Sequence, residues 1–211
     1  MYDSVLKRVF DFVVALIGIV VLSPVLLILT IIGAMAMGGN PFFTQLRPGR
    51  IGKNGEEEIF RLIKFRTMSN KKDKDGKLLP DSVRLNKYGR ILRATSMDEL
   101  PELFNILLGQ MSLVGPRPLL VKYLPRYTPQ QRRRHEVRPG LTGLAQVNGR
   151  NAISWDDKFR MDVEYVDNIT FWGDIKIIIA TGMKVVKRDG ISSTTSVTME
   201  EFMGSQEQPV K

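Results

Sequence analysis

A long apolar run without charge near the N-terminus constrains this chain more than any other feature. No charged residue occurs between Phe12 and Leu46, and valine, leucine and isoleucine dominate residues 13–32. Such a run predicts a membrane-embedded helix, because charged side chains are costly in hydrocarbon. A cleaved signal peptide fits less well, since the run is too long for one and no small-residue cleavage site closes it.

Ser23 and Pro24 lie inside this run and predict a bend. Proline cannot donate a backbone hydrogen bond to the carbonyl of Val20, and its ring pushes that carbonyl away. The Ser23 hydroxyl can bond to a nearby carbonyl, which suits a bent helix. The two halves measure about 18 and 21 Å, so neither crosses a hydrocarbon core of about 30 Å, although a straight helix through both would.

The charges on both sides of the run favour a helix that enters and leaves the membrane on one face. Positive residues prefer the cytoplasmic side of a membrane. Basic residues lie on both flanks (Lys7 and Arg8 before the run; Arg47, Arg50 and Lys53 after it). We therefore predict a re-entrant helix hairpin. A Pro-kinked helix that spans the membrane stays open as the alternative.

Composition limits the chemistry that the rest of the chain can perform. The 211 residues include no cysteine and one histidine, which excludes a disulfide framework and a Cys-ligated zinc site and leaves little scope for a Ser-His-Asp triad. Carboxylates, lysine, arginine and tyrosine must then carry most of any catalysis. The net charge of +9 suits nucleic acid, anionic lipid or a polyphosphate substrate equally well.

Two adjacent carboxylates, Asp98 and Glu99, follow a predicted helix cap at Thr95 or Ser96. The start of a helix favours negative charge, so a carboxylate there stays ionised and can act as a nucleophile or a metal ligand. The alternative is a capping box, in which Glu99 only bonds back to the backbone of Ser96. Pro101 conflicts with a helix that starts at Ser96, because its missing N–H falls inside that helix.

Cations lie on both sides of this pair along the chain. The segment from Glu58 to Met68 is predicted to be a strand with Lys64 and Arg66 on one face. Arg117 lies in a rigid Gly-Pro-Arg-Pro turn, and a guanidinium is well shaped for bidentate contact with phosphate. An exposed strand edge and a surface salt bridge are the ordinary alternatives for these cations.

The C-terminal half is predicted to contain three helices and a tail. Thr128 and Pro129 start a helix that carries the arginine cluster 132–134, which we expect to contact lipid headgroups, with a solvated face as the alternative. Ser154 caps a helix that ends near Asp167. Another helix starts at Asp174, and the residues from Ser192 onward form a mobile tail.

Five motifs, taken together and in this order, resemble a known family. They are the Ser-Pro break in the apolar run, the segments Phe60–Met68, Asp98–Pro101 and Val114–Pro118, and the glycine-punctuated segment Arg138–Gly143. This pattern is similar to that of the bacterial sugar transferases, the monotopic phosphoglycosyl transferases. The resemblance covers about residues 1–190 and fades in the C-terminal tail.

The resemblance implies a transfer in two steps. An aspartate attacks the sugar-bearing phosphorus of a UDP-sugar, UMP leaves, and undecaprenyl phosphate then takes the phosphosugar from the enzyme. It implies Asp98 as the nucleophile, Glu99 as the ligand of Mg²⁺, and a UDP-linked diacetylated bacillosamine as the nearest guess for the donor. Further residues are implied to bind or orient substrate, namely Lys64, Arg93, Arg117, Arg138, Arg150 and Asp174.

The resemblance also implies a fold and a location. We expect a mostly helical α+β fold, with a re-entrant anchor over residues 1–40, a compact cytosolic domain with interfacial helices and a small β element over 41–190, and a tail over 191–211. The protein would be monotopic at the cytoplasmic face of the bacterial inner membrane. Its partners would be UDP-sugar, undecaprenyl phosphate, membrane lipids and downstream glycosyltransferases, and no nucleic acid.

Two classes without catalysis remain as alternatives. A membrane-tethered protein that binds anionic lipid or nucleic acid would use the cations between Lys122 and Arg150 and would need neither Asp98 nor magnesium. A purely structural anchor would show no turnover. The chain lacks the aromatic platform that single-strand binders usually need. Release of UMP from a UDP-sugar discriminates between these classes and the enzyme.

Overall fold

The computed structural model describes residues 2–149, 153–187 and 201–204. Within these ranges the predicted fold class is confirmed, with mostly helical structure and two small sheets. The α-helices are α1 Lys7–Met37, α2 Asp81–Arg84, α3 Lys87–Thr95, α4 Glu102–Leu107, α5 Pro129–Arg132, α6 Leu144–Asn148, α7 Trp155–Asp167 and α8 Phe171–Lys187. The strands are β1 Phe42–Ile51, β2 Glu57–Phe65, β3 Ser112–Val114 and β4 Gly140–Thr142. The elements after α1 are called the main domain.

The apolar run forms one helix, α1, that passes through Pro24 without interruption. The structure thus has a continuous helix where the sequence analysis divides the run into two halves. The Ser23 hydroxyl donates to the Val20 carbonyl at 2.7 Å and so satisfies the group that Pro24 cannot bond. Only 11% of the most apolar stretch of α1 is buried, so most of its side chains face away from the protein.

The N-terminal half of α1 is fixed to the main domain by buried charges. The Lys7 ammonium lies 2.6 Å from a carboxylate oxygen of Asp174 in α8, and both side chains are buried. Arg8 donates to the carbonyl of Ile106 at the end of α4. Cations at the C-terminal end of a helix are stabilised by its unpaired carbonyls.

The C-terminal half of α1 contacts the same domain. The Tyr88 hydroxyl of α3 donates to the Leu29 carbonyl at 2.9 Å, and the Asn86 amide donates to the Ala36 carbonyl at 3.1 Å. Both ends of a helix of 31 residues, about 46 Å long, therefore lie against one domain.

The main domain contains two sheets of two strands each among the described residues. β1 and β2 pair antiparallel from Phe42–Phe65 onward, with an irregularity after Pro48. β2 ends at Phe65, three residues before the predicted end of this strand. β3 and β4 pair parallel and lie so close that a Cβ atom on Gly140 would stand 2.1 Å from the Gly115 nitrogen. Glycine is needed at this contact because no side chain fits.

A cluster of aromatic side chains packs around one face of α7. Phe159 and Phe202 are each 2% exposed, and their rings contact each other with centroids 4.9 Å apart. Glu201 forms ion pairs with Lys122 at 2.5 Å and Arg126 at 2.9 Å. The segment 201–204, which belongs to the predicted mobile tail, is thus attached to the main domain, because Phe202 buries a large apolar ring there. The rest of that prediction, over 191–200 and 205–211, lies outside the described residues.

Candidate active site

Asp98 and Glu99 lie in a tight turn between two helices rather than at the start of one. α3 ends at Ser96, whose backbone is left-handed (φ 56°), and residues Met97–Glu99 form a single 3-10 turn. α4 begins only at Glu102, and no side chain caps it. The alternative of a capping box at Ser96 is therefore wrong. Proline has no backbone N–H to donate, so the α-helix begins just after Pro101, where the first residues of a helix need no such donor. A left-handed non-glycine residue is strained, and such strain is common beside functional sites.

Two cations hold Glu99 in place. Lys64 Nζ lies 2.7 Å and Arg117 Nη2 lies 2.5 Å from the same oxygen, Oε1. Burial raises the pKa of Glu99, but the charges of Arg117 and Lys64 outweigh this effect and bring its pKa well below the ordinary value. Glu99 is therefore ionised throughout the physiological range.

Asp98 lacks such partners. Its carboxylate accepts no hydrogen bond within the described part of the chain, although it lines a large cavity. Burial and the charge of Glu99 raise the pKa of Asp98, while the surrounding cations lower it. An ionised carboxylate without hydrogen bonds keeps its lone pairs available for attack on an electrophile.

The cavity has a volume of about 1480 Å³ and collects five of the predicted site residues. Asp98 and Glu99 lie on its wall together with Lys64 from β2, Arg93 from α3 and Arg117 from the turn after β3. Arg93 is oriented by Thr67, whose hydroxyl accepts from Nε at 3.0 Å. Ligand sites are usually concave and hold a few convergent polar groups, as this cavity does.

Glu102 also belongs to this site, although the sequence analysis does not select it. Its carboxylate is 3% exposed and lies 3.0 Å from Lys64 Nζ, so one ammonium bridges Glu99 and Glu102. Burial, followed by the charge of Glu99, raises the pKa of Glu102 to about 7. The only signal in the sequence is its position three residues after Glu99, which places both acids on one side of a helical turn.

Two of the predicted substrate-binding residues lie elsewhere. Arg138 donates to the Gly109 carbonyl at 2.8 Å, and Asp174 is fully buried between Lys7, Tyr2 and Tyr165. Neither lines the cavity, which corrects their assignment to direct substrate contact. Asp174 instead joins α1 to α8, because a buried carboxylate requires charged and hydroxyl partners. Arg150 lies outside the described residues.

All three arginines of the cluster 132–134 are paired with acids of the described chain. Arg132 pairs with Glu57 at 2.6 Å, Arg133 pairs with Asp167, and Arg134 is buried against Asp162 at 2.8 Å. Arg134 is therefore withdrawn from the surface, whereas a lipid role for the partly exposed Arg132 and Arg133 stays a prediction. Arg134 also donates to the Arg117 carbonyl at 2.7 Å and so supports the turn beside Glu99.

The chain matches known proteins along nearly its whole length. The family described as bacterial sugar transferase matches residues 2–188. An uncharacterised sugar transferase of Bacillus subtilis, EpsL, is 52% identical over 95% of this chain and 97% of its own length. The undecaprenyl-phosphate galactose phosphotransferase of Salmonella typhimurium is 38% identical over 88% of the chain, and the UDP-glucose:undecaprenyl-phosphate glucose-1-phosphate transferase of Klebsiella pneumoniae is 36% identical over 86%. The chain spans only 41% and 40% of the lengths of these two enzymes.

Proposed function

Because the chain belongs to the bacterial sugar transferase family, we propose that it transfers a phosphosugar from a UDP-sugar to undecaprenyl phosphate and releases UMP. The observation that carries this proposal is Asp98, whose carboxylate accepts no hydrogen bond from the described residues and lines a cavity together with Lys64, Arg93 and Arg117. Cations around an anionic nucleophile suit an anionic substrate, since they offset the repulsion between the two.

We propose that the reaction proceeds in two displacements, as the resemblance to the family implies. An oxygen of Asp98 attacks the sugar-bearing phosphorus of the UDP-sugar, a bond from that oxygen to phosphorus forms, and the bond from phosphorus to the UMP oxygen breaks. An oxygen of undecaprenyl phosphate then attacks the same phosphorus, and the Asp98 carboxylate leaves. Covalent catalysis of this type divides one difficult transfer into two easier ones.

The cations have separate tasks in these steps. Lys64 and Arg117 fix Glu99 while each retains donors that can reach a phosphate oxygen. Arg93 is held by Thr67 and Met68 and lines the same cavity as Asp98. Donors that are already oriented cost no rearrangement when negative charge develops during attack.

The family also implies Mg²⁺, and the residues of the cavity fit this ion. Both cations contact Oε1 of Glu99, while Oε2 accepts no hydrogen bond from the described residues. Those residues include no cluster of three or more acids or histidines that would hold a metal alone. Magnesium is commonly held by one or two carboxylates together with substrate phosphates. We propose Glu99 as its ligand, and the ion would neutralise charge on the diphosphate.

The docking of α1 supports a monotopic position on the cytoplasmic face of the inner membrane. A spanning helix would separate its two ends by the hydrocarbon core, about 30 Å thick. Here Lys7 and Ala36, near opposite ends, both contact the main domain. Leu108 and Trp172 of that domain are 68% and 71% exposed, which suits side chains that enter the membrane interface.

The relatives guide the choice of donor. The Salmonella typhimurium and Klebsiella pneumoniae enzymes are named for galactose and glucose. We therefore propose UDP-galactose and UDP-glucose as the first donors to test, ahead of the UDP-linked diacetylated bacillosamine. The lipid-linked product would be consumed by glycosyltransferases that extend a sugar on a lipid diphosphate.

Release of UMP without any acceptor tests the proposal. The purified enzyme with Mg²⁺ and the correct UDP-sugar should release up to about one equivalent of UMP, because the first displacement needs no lipid. Asp98→Asn keeps the shape but lacks the anion, so both this burst and steady turnover should vanish. The matched control Asp75→Asn, in an exposed loop, should behave as the unaltered protein.

Other outcomes would refute particular parts of the proposal. Absence of UMP across a panel of UDP-sugars would favour a membrane-tethered basic binding protein. Near-normal turnover of Asp98→Asn, or a phosphosugar found on another residue by mass spectrometry, would exclude Asp98 as the nucleophile. Glu99→Gln should weaken the dependence on Mg²⁺ and slow both displacements.

A further inference from the structure

Two arginines on the cavity wall have no partner in the described residues. Arg66 follows β2 directly, and Arg90 lies in α3; both line the cavity. Neither side chain forms a hydrogen bond or ion pair within the described ranges, whereas Lys64, Arg93 and Arg117 on the same wall all do. Cations that line a cavity without a counter-charge are expected to bind an anionic ligand.

The packing of α3 brings these two arginines to the same end of the cavity. A Cβ atom on Gly89 would stand 1.9 Å from the Thr67 carbonyl oxygen, so α3 lies directly on the chain that follows β2. Arg66, next to Thr67, is fixed by its own backbone N–H, which donates to the Pro41 carbonyl at 2.7 Å. Arg90 precedes Arg93 by three residues and therefore shares its face of the helix.

The membrane helix contributes the apolar wall at this end. Leu22 of α1 lines the cavity together with Phe42 and Phe65, whose rings stack with centroids 5.4 Å apart. Leu22 also packs on the buried cluster that joins α1, β2 and α3. A ligand at this end therefore meets guanidinium groups beside the side chains of an apolar helix that is otherwise largely exposed.

We propose that Arg66 and Arg90 bind the phosphate of the polyprenyl phosphate acceptor, while its isoprenoid chain lies against Leu22 and Phe42. This inference rests on the proposed function. A UDP-sugar has no long apolar group to place beside α1, whereas a polyprenyl phosphate has both an anion and an apolar chain. In the second displacement an acceptor oxygen forms a bond to the phosphorus on Asp98, the bond from Asp98 to phosphorus breaks, and the two guanidiniums offset the charge of the arriving phosphate.

Separate measurement of the two displacements tests this assignment. Arg66→Gln, Arg90→Gln and the double variant should release the UMP burst from UDP-sugar at the unaltered rate. Transfer from the pre-formed phosphosugar enzyme to undecaprenyl phosphate should slow by about tenfold for each residue, the loss typical of a charge-assisted hydrogen bond. Arg61→Gln on β2 and Lys87→Gln on α3 are the matched controls, since both are exposed and lie off the cavity wall.

Each other result overturns the assignment. Loss of the burst would place these arginines at the donor, and unchanged transfer would leave them without a role. A loss that appears in vesicles with phosphatidylglycerol but not in phosphatidylcholine alone would show that they bind membrane headgroups. If the unaltered protein releases no UMP, the proposed function itself fails. The site is then still tested by comparing the binding of undecaprenyl phosphate to the Asp98→Asn variant with its binding to the Asp98→Asn, Arg66→Gln double variant.

Discussion

Arg134 shows how a single residue can be misjudged from its neighbours along the chain. It lies in a run of three arginines, yet its side chain is 1% exposed and its partner, Asp162, is equally buried. Burial raises the pKa of Asp162, while the Arg134 charge and hydrogen bonds lower it. Removal of one member would leave the other charged and unpaired in the interior, which is costly.

We therefore expect Arg134→Met to reduce the free energy of unfolding by about 3–5 kcal/mol. Arg133→Gln, at a neighbour whose ion pairs are screened by solvent, should change the free energy of unfolding far less. Denaturant unfolding in detergent measures both changes. Salt-dependent loss of membrane association in either variant, with unaltered stability, would instead support the lipid-headgroup role.

His135 provides a pH-dependent test at the same scale. The ring is 4% exposed, its Nδ1 lies 3.1 Å from the Gly49 carbonyl, and Nε2 is buried without a hydrogen-bond partner among the described residues. Burial, and then the charge of Arg134, lowers the pKa of His135 to about 3. The folded state therefore keeps His135 neutral at pH values where the unfolded chain, with an ordinary pKa near 6.5, binds a proton.

Because the pKa of His135 is lower in the folded than in the unfolded state, the free energy of unfolding falls on acidification. Since the unfolded state binds more protons, His135 should contribute a loss of up to about 1.4 kcal/mol per pH unit between about pH 6.5 and pH 3. His135→Gln cannot titrate, so its unfolding midpoint should fall less over this interval than that of the unaltered protein. Parallel curves for the two proteins would contradict the depressed pKa.

At the scale of an element, α3 decides the geometry of one end of the cavity. It carries Arg90 and Arg93, and it reaches the segment after β2 only because Gly89 has no side chain. The Thr67 carbonyl that fills this space belongs to the backbone and cannot rotate away. The whole helix would have to shift to accept a methyl group.

Gly89→Ala should therefore destabilise the protein by about 1–3 kcal/mol, as overpacking does, although alanine favours the helix itself. Steady-state transfer should fall as Arg90 and Arg93 move from the cavity. Gly182→Ala is a suitable control, since Gly182 lies within α8 with open space around it, and it should be neutral or slightly stabilising. Equal stability and activity for both variants would show that α3 is not fixed at this contact.

For the molecule as a whole, the main domain lies along α1, the helix that is predicted to enter the membrane. Contacts at both ends of α1 leave the domain beside the helix rather than beyond one end. The cavity wall includes Gly18 and Leu22 of α1, so the proposed transfer would take place beside this helix. This arrangement is the one that the proposed monotopic topology requires.

Cysteine labelling tests this topology without background, because the chain has no cysteine. Cysteines introduced at Ser4 and at Lys53, on opposite sides of α1, should both react only from the cytoplasmic side. Detergent-solubilised protein serves as the control for reactivity. Labelling of the Ser4 position from the periplasm would demonstrate a spanning helix. Pro24→Ala should favour that state, since it restores the missing backbone donor.

Local patterns determined a large part of the fold. Ser154 caps α7, which ends at Asp167 as predicted, and Thr128 with Pro129 starts α5 through a capping box. The apolar run is helical as predicted, although it forms one continuous helix rather than two halves, and the short helix before Gly109 ends there with a left-handed glycine. Hydrophobic periodicity, caps and turn chemistry act over a few residues, so the sequence by itself contains them.

The partners of charged side chains were decided only by the tertiary structure. Asp174 and Lys7 are 167 residues apart in the chain, and Arg132 and Glu57 are 75 residues apart. Glu102 joined the site because β2 brings Lys64 to it, and Phe202 became buried because α7 offers an aromatic surface. Motifs in sequence order selected Asp98, Glu99, Lys64, Arg93 and Arg117. A charge on a linear sequence gives no direction in space, however, so only packing determines which cations face the cavity and which are neutralised inside the protein.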